Sequence, residues 1–310
     1  MAKVHQDYPP AAEVDAWCDA LLARALDRPV ETRLLSDVPY EFRLGVRHTG
    51  GTYVAFESSG REAFYGFWQP APSGRGPVLL HLPGYGAEMS AHPELVCQGY
   101  SVLHINPLGY ATPRGPDGSK QVGGTWPVLP DTAASQGRSG YVDWLSDAIV
   151  ATRWARQQPG VEAERYAFFG TSQGGGTALL LASLFSRRGV RCVAADLPFL
   201  VNIPLLYGRA AWVRDCALKP LAEMEKGRSA DLRAAWKALG YVDVLSHAHR
   251  LTMPVLLTAA SKDGTCLLEA ICSLFEVLPG TRSYTELVGQ EHGYTKEFVH
   301  LAQCWFRLHV

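Results

Sequence analysis

The chain has 310 residues, 47% of them hydrophobic, enough for a large core in one α/β domain with insertions, although length alone would also allow two. With 29 Lys and Arg against 30 Asp and Glu the net charge is -1, so there is no electrostatic case for nucleic acid or an anionic membrane surface. No hydrophobic run approaches membrane-spanning length, and residues 1–20 lack the basic-then-apolar pattern of a signal peptide.

Ala11 to Leu26 reads as a leading helix with Val14, Trp17, Leu21 and Leu22 on one side. Residues 40–69 alternate apolar and polar positions, as in Tyr53-Val-Ala-Phe56, and predict antiparallel strands at a sheet edge. From Pro77 onward strands and helices alternate, which implies a mostly parallel sheet with helices on both faces. Pro77-Val-Leu-Leu-His-Leu82 is the first of these strands, followed by the loop Pro83-Gly-Tyr-Gly86. Tyr100 to Ile105 is the next. Pro107 to Arg138, rich in Gly, Pro, Ser and Asp, is too long for an ordinary connection and reads as either a functional loop or a disordered one; its place after a strand end favours a wall of the site (residues 107–138). Arg165 to Phe169 is a short buried strand and Thr177 to Phe185 a helix apolar on all sides. Between them stands Gly170-Thr-Ser172-Gln-Gly-Gly175.

Any loop rich in Gly and Ser can match so short a pattern. A Gly-x-Ser-x-Gly between a strand and a helix, however, is the nucleophile elbow of the α/β-hydrolase fold. There the serine stands on a sharp turn that lifts its hydroxyl above the sheet, and the glycines let strand and helix approach. A nucleophilic serine needs a base, and the base an orienting carboxylate, in the chain order Ser, Asp or Glu, His.

The second half of the chain offers that order. Cys192-Val-Ala-Ala195 is a strand ending at Asp196, and residues 198–250 read as a helical insertion containing Leu205-Leu-Tyr207, Trp212 and Trp236. These aromatics would shape a pocket or fill a helix interface. Pro254 to Ala260 is a buried strand running into Ser261-Lys-Asp263-Gly264. A helix over Leu267 to Leu278 and a last strand from Ser283 to Val288 lead to Gly289-Gln-Glu-His292-Gly293. The final helix places Phe298, Leu301, Ala302, Trp305 and Leu308 on one face. Asp263 and His292 each fall just past a strand, so they are the predicted acid and base, with Asp196, Asp243 and Glu291 as rival carboxylates. Of the ten histidines, His247, His249 and His300 follow no strand directly, and His81 reads as a packing residue or one acting behind the reacting groups. The predicted oxyanion donors are backbone N–H groups, one from Gln173 and one from Tyr85.

Val161 to Gly176, Ala194-Ala-Asp-Leu-Pro-Phe-Leu200 and Asp263-Gly-Thr-Cys266 together resemble the acetyl xylan esterase and cephalosporin-C deacetylase family of α/β-hydrolases. The likeness runs from about residue 40 to the C-terminus. It implies a serine carboxylic-ester hydrolase acting on short acyl esters, with Ser172 as nucleophile, Asp263 as acid, His292 as base and Tyr85 and Gln173 as oxyanion donors. A broad carboxylesterase, or a peptidase or amidase related to the prolyl oligopeptidases, is the alternative; the peptidases carry a large extra domain for which this chain has no room. Two departures separate it from the family's best-known branch, with its sugar-ester substrate and hexameric assembly. Asn106-Pro-Leu-Gly109 stands where that branch has Arg-Gly-Gln, and Gly293 rather than glutamate follows His292. A homo-oligomer is compatible with the resemblance.

Seven cysteines without paired spacing read as reduced thiols in a cytoplasmic protein. There is no zinc spacing motif, phosphate loop or dinucleotide fingerprint, so neither metal nor cofactor is expected, and the expected partner is a small-molecule ester.

Overall fold

The computed structural model describes residues 5–38, 44, 50–57, 63–85, 89–106 and 140–310. The strands among them are β1 (Thr32–Leu35), β2 (Thr52–Phe56), β3 (Phe64–Gln69), β4 (Gly76–Leu82), β5 (Ser101–Asn106), β6 (Val161–Thr171), β7 (Cys192–Asp196), β8 (Val255–Ala260) and β9 (Arg282–Leu287). They form one sheet in the order β1-β2-β3-β5-β4-β6-β7-β8-β9. The first three strands pair antiparallel, and all pairings from β5 across to β9 are parallel. The helices are α1 (Ala11–Asp27), α2 (Pro93–Val96), α3 (Gly140–Arg156), α4 (Gln173–Leu184), α5 (Ile203–Arg209), α6 (Lys219–Lys226), α7 (Leu232–Gly240), α8 (Leu268–Val277) and α9 (Lys296–His309). A π-helical turn covers Val213–Ala217 and a 3₁₀ helix Val244–Arg250.

Alternate residues of the central strands feed two cores. Val78, Leu80 and Leu82 of β4 join Phe168 and the helices α1, α3 and α4 on one face. Leu79, Val102 and Phe169 join Phe298, Trp305 and Phe306 of α9 on the other. Because both faces are covered, β4, β7 and β8 are buried at every residue and read as largely apolar runs, interrupted only by His81, Asp196 and Thr258. Every residue of α4 is also buried, which accounts for its all-round apolar sequence. The chain leaves β4 first for β5 on one side and later for β6 on the other, so the carboxyl ends of β4 and β6 flank the crevice where such sheets bind ligands.

The structure corrects three sequence expectations. β1 begins ahead of the predicted edge strands; its residues are half-buried or exposed, with Leu34 66% exposed, so no alternating pattern marks it. The elbow strand starts at Val161 rather than near Arg165. On α9 the buried set is Phe298, Ala302, Trp305 and Phe306, whereas Leu308 is 74% exposed. The predicted loop at 107–138 lies outside the described residues.

Candidate active site

Ser172 occupies the single residue between β6 and α4 with φ 57° and ψ -119°, in the positive-φ range that a side chain rarely adopts. Its neighbours hold it there. Its N–H donates to the Asp196 carbonyl at 2.8 Å, and its carbonyl accepts the amides of Phe199 at 2.8 Å and Gly176 at 3.0 Å. A Cβ at Gly170 or Gly174 would overlap the Leu82 carbonyl oxygen, so the pattern's two glycines are dictated by the approach of β4.

The three residues predicted to act together are brought together. His292 Nε2 lies 3.0 Å from Ser172 Oγ, and His292 Nδ1 lies 2.7 Å from Asp263 Oδ2. Asp263 follows β8 and His292 follows β9, and adjacent pairing of those strands carries both loops to the same edge of the crevice. The Asp263 side chain is shielded from solvent, while that of His292 is 32% exposed. Asp263 Oδ1 accepts the amides of Thr265 and Cys266, each at 2.8 Å, so the carboxylate cannot rotate without losing both. In this geometry Oδ2 accepts from the imidazole Nδ1–H, leaving Nε2 bare toward the serine hydroxyl.

The rival carboxylates have other work. Asp196 is fully buried beneath the elbow, accepting the hydroxyls of Thr258 at 2.5 Å and Thr171 at 2.9 Å. Burial pushes its carboxyl up to about 6, against the opposing pull of those hydroxyls. Asp243 accepts Tyr8 Oη and the amides of Asn202, Ile203 and Leu245, tying the N-terminal segment to the start of α5. Burial pushes it up to about 6 as well. Glu291, next to His292 in sequence, is exposed.

A cavity of about 320 Å³ opens over Ser172 and His292. Tyr85, in the loop after β4, is half-buried in its wall. Gln173 is the first residue of α4, so its N–H sits at the positive end of that helix, next to the serine. Of the aromatics noted between 198 and 250, only Trp212 lines this cavity, its ring 6.2 Å from that of Tyr85. Tyr207 and Trp236 instead pack edge to face at 5.5 Å among the helices. Sequence reasoning missed Phe199, Thr265 and Tyr294 as lining residues. Phe199 was within reach, because it lies in the Asp-Leu-Pro-Phe run and its amide holds the Ser172 carbonyl.

Two groups of side chains among the described residues are spaced for a metal: Asp263 with Cys266 and His292, and His81 with His92 and His104. In the first, carboxylate and imidazole are already engaged with each other, and burial keeps the Cys266 thiol well above its ordinary range and protonated.

The acetyl xylan esterase (AXE1) family matches residues 45–310. No curated protein sequence matches the chain significantly. Among solved structures it is similar to acetyl xylan esterase 1 from Thermoanaerobacterium sp. JW/SL YS485, with a TM-score of 0.78 and 18% identity over 97% of this chain and 94% of that one. The acetyl xylan esterase from Paenibacillus sp. R4 gives a TM-score of 0.75 and 20% identity over 98% and 96% of the two chains. Est1E from Butyrivibrio proteoclasticus gives 0.56 and 14%, over 84% and 97%. At these identities the likeness is one of fold, the α/β-hydrolase fold read from the sequence.

Proposed function

Since the chain belongs to the acetyl xylan esterase family and is a carboxylic-ester hydrolase, we propose that it removes short acyl groups, acetyl above all, through a Ser172–His292–Asp263 triad. The observation that carries this reading is the unbroken relay from Asp263 Oδ2 through the imidazole to Ser172 Oγ, with contacts of 2.7 and 3.0 Å. Ser172 Oγ attacks the ester carbonyl carbon as its proton passes to His292 Nε2. The carbonyl oxygen becomes an oxyanion, met by the amides of Tyr85 and Gln173. As the alkoxy C–O bond breaks, Nε2 returns the proton to the departing alcohol and the acyl group stays on Oγ. Water then repeats the sequence and releases the acid. Asp263 holds the ring in the tautomer with Nδ1–H and stabilises the imidazolium that forms at each half-reaction.

The small acyl preference rests on family membership and on cavity size. A volume of about 320 Å³ falls at the lower end for ligand pockets and is bounded by the rings of Tyr85, Phe199 and Trp212. A long chain would meet those rings, whereas in a roomier pocket each fitted methylene would add roughly 1–3 kcal/mol in its favour. The test is kcat/KM for acetyl, butyryl, octanoyl and decanoyl esters of one alcohol, beside aminoacyl amides. Acetyl should lead, and Ser172→Ala should lower kcat on the order of a millionfold, by analogy with a serine protease. A maximum at octanoyl or longer would make the protein a broad carboxylesterase, and a preference for amides would make it a peptidase. Ser172→Ala retaining a tenth of the activity in a folded protein would remove the nucleophile.

A further inference from the structure

Three imidazoles meet on the sheet face covered by α9, outside the groups assigned to hydrolysis. His81 of β4 pairs across the sheet with His104 of β5 on one side and with Phe169 of β6 on the other. His92 immediately precedes α2, and its ring meets that of His81 edge to face at 4.2 Å. One nitrogen from each of the three rings lies within 4.8 Å of the others. His81 and His104 are buried, 5% and 1% exposed, and His92 is half-buried.

Two features separate this cluster from ordinary packing. The first is an unmet hydrogen-bonding need: among the described residues, Nε2 of His92 is buried with no partner. Buried polar atoms are nearly always satisfied, so an orphaned nitrogen within the cluster indicates a missing bonding partner. The second is orientation. His92 Nδ1 donates to Glu94 Oε1 at 3.2 Å, which makes Nε2 the bare nitrogen and turns it inward. A carboxylate behind a histidine in this way is the usual support of a metal-ligating imidazole, and it brings negative charge to a site whose ligands are neutral. The His92 backbone is fixed too, its N–H donating to Gln69 Oε1 at 2.7 Å.

The geometry points to a divalent-cation site, zinc by its ligand chemistry, formed by His81, His92 and His104. All-imidazole ligation suits zinc and its first-row neighbours rather than magnesium or calcium. His92 meets the ion through Nε2. His81 and His104 face each other through Nδ1 atoms 2.7 Å apart, so a single proton bridges them. An ion held by both rings displaces that bridge, the proton moving to a nitrogen that does not ligate, and each imidazole stays neutral. Two nitrogens on one tetrahedral zinc stand roughly 3.3 Å apart at Zn–N bonds of about 2.0–2.1 Å. The rings therefore part by about half an ångström, within reach of side-chain rotation. His81 lies before Tyr85 in the chain and His92 after it, so the ion would pin both ends of the segment that supplies the proposed oxyanion amide. The site thus reaches hydrolysis through the loop without touching the ester.

The test uses the full-length His292→Ala protein, in which the Asp263, Cys266 and His292 donor group is broken. After chelation and dialysis it is titrated with Co²⁺ and followed by visible absorption. One Co²⁺ per chain should bind with the intense spectrum of tetrahedral coordination, and Zn²⁺ should displace it. Adding Glu94→Gln should weaken binding about 10–100-fold, and adding His92→Ala should abolish it, with circular dichroism unchanged. Absence of the Co²⁺ spectrum, or undiminished binding with His92→Ala, overturns the proposal. Should His92→Ala fail to fold, unchanged affinity with Glu94→Gln overturns it equally.

Discussion

Asp263→Asn is the sharpest test of the relay, because the structure dictates how an amide would sit. Asp263 Oδ1 accepts two backbone N–H groups at 2.8 Å, and Oδ2 faces His292 Nδ1 at 2.7 Å. A carboxamide has one oxygen, and the two fixed donors of Thr265 and Cys266 claim it. Its NH₂ must then turn toward His292 and demand a bare Nδ1, which sends the ring proton to Nε2. That nitrogen lies 3.0 Å from Ser172 Oγ and, once protonated, cannot take the serine proton. The corresponding change in a serine protease lowers kcat about ten-thousandfold, or roughly 5.4 kcal/mol of barrier at 1.36 kcal/mol per decade. We expect a loss of that order with KM little changed, since Asp263 is proposed to touch no substrate. Steady-state hydrolysis of an acetyl ester supplies the rate, and ¹⁵N NMR of the imidazole reports the tautomer. A folded D263N protein keeping more than a tenth of wild-type kcat would refute the reasoning, most directly if the ring still carried its proton on Nδ1.

Gln173→Ala should retain most of its activity, because the proposed oxyanion donor is a backbone amide; a hundredfold loss of kcat in folded protein would contradict this. Gly174→Ala should be costly, since the new methyl overlaps the Leu82 carbonyl oxygen. Overpacking of this kind costs about 1–3 kcal/mol or more, read as a lower urea midpoint, and an unchanged midpoint would show that β4 and α4 are not packed as described. Asp196→Asn should reduce kcat less than tenfold, in contrast to Asp263→Asn, because Asp196 bonds to threonine hydroxyls that can reverse as donors and acceptors. The same variant should change the pH dependence of stability. The folded-state value of about 6 exceeds the unfolded value of about 3.9, so between those pH values the folded protein binds the extra proton and wild-type stability falls as pH rises. The stability of Asp196→Asn relative to wild type should therefore rise through that window, by on the order of 2–3 kcal/mol. Urea unfolding at several pH values measures it, and a flat difference would mean that Asp196 titrates normally.

What was legible in the sequence was whatever a backbone constraint imposed on residue choice. Gly170 and Gly174 could be read because the Leu82 carbonyl excludes a side chain there. Asp263 could be placed just past a strand because β8, buried at every residue, reads as a largely apolar run, whereas the strand before His292 is the half-exposed edge strand β9 and is marked only by its position. Where no such constraint acts, the reading thinned. β1 is exposed on both sides and carries no pattern. On α9 the buried stripe takes Phe306 rather than Leu308, a choice set by what lies across the interface at Tyr100 and Phe169. Trp212, Tyr207 and Trp236 look alike in sequence, and only the tertiary path of the helices decides which one reaches the cavity. The His81, His92 and His104 cluster has no recognisable spacing because pairing of β4 with β5 joins His81 to His104 and the turn before α2 adds His92.

The strand order has a consequence for how the molecule comes into being. β4 carries the proposed oxyanion loop on one edge of its pairing with β6, yet β5 and α3 both lie between them in the chain. Ser172 and His292 are 120 residues apart. A fold dominated by such distant pairings forms slowly, since loop closure must precede the contacts that reward it. During synthesis at about 5–20 residues per second, the apolar β4 edge would wait several seconds or more for its partner. That interval is when aggregation competes with folding, so slower, cooler expression should favour the yield of active enzyme.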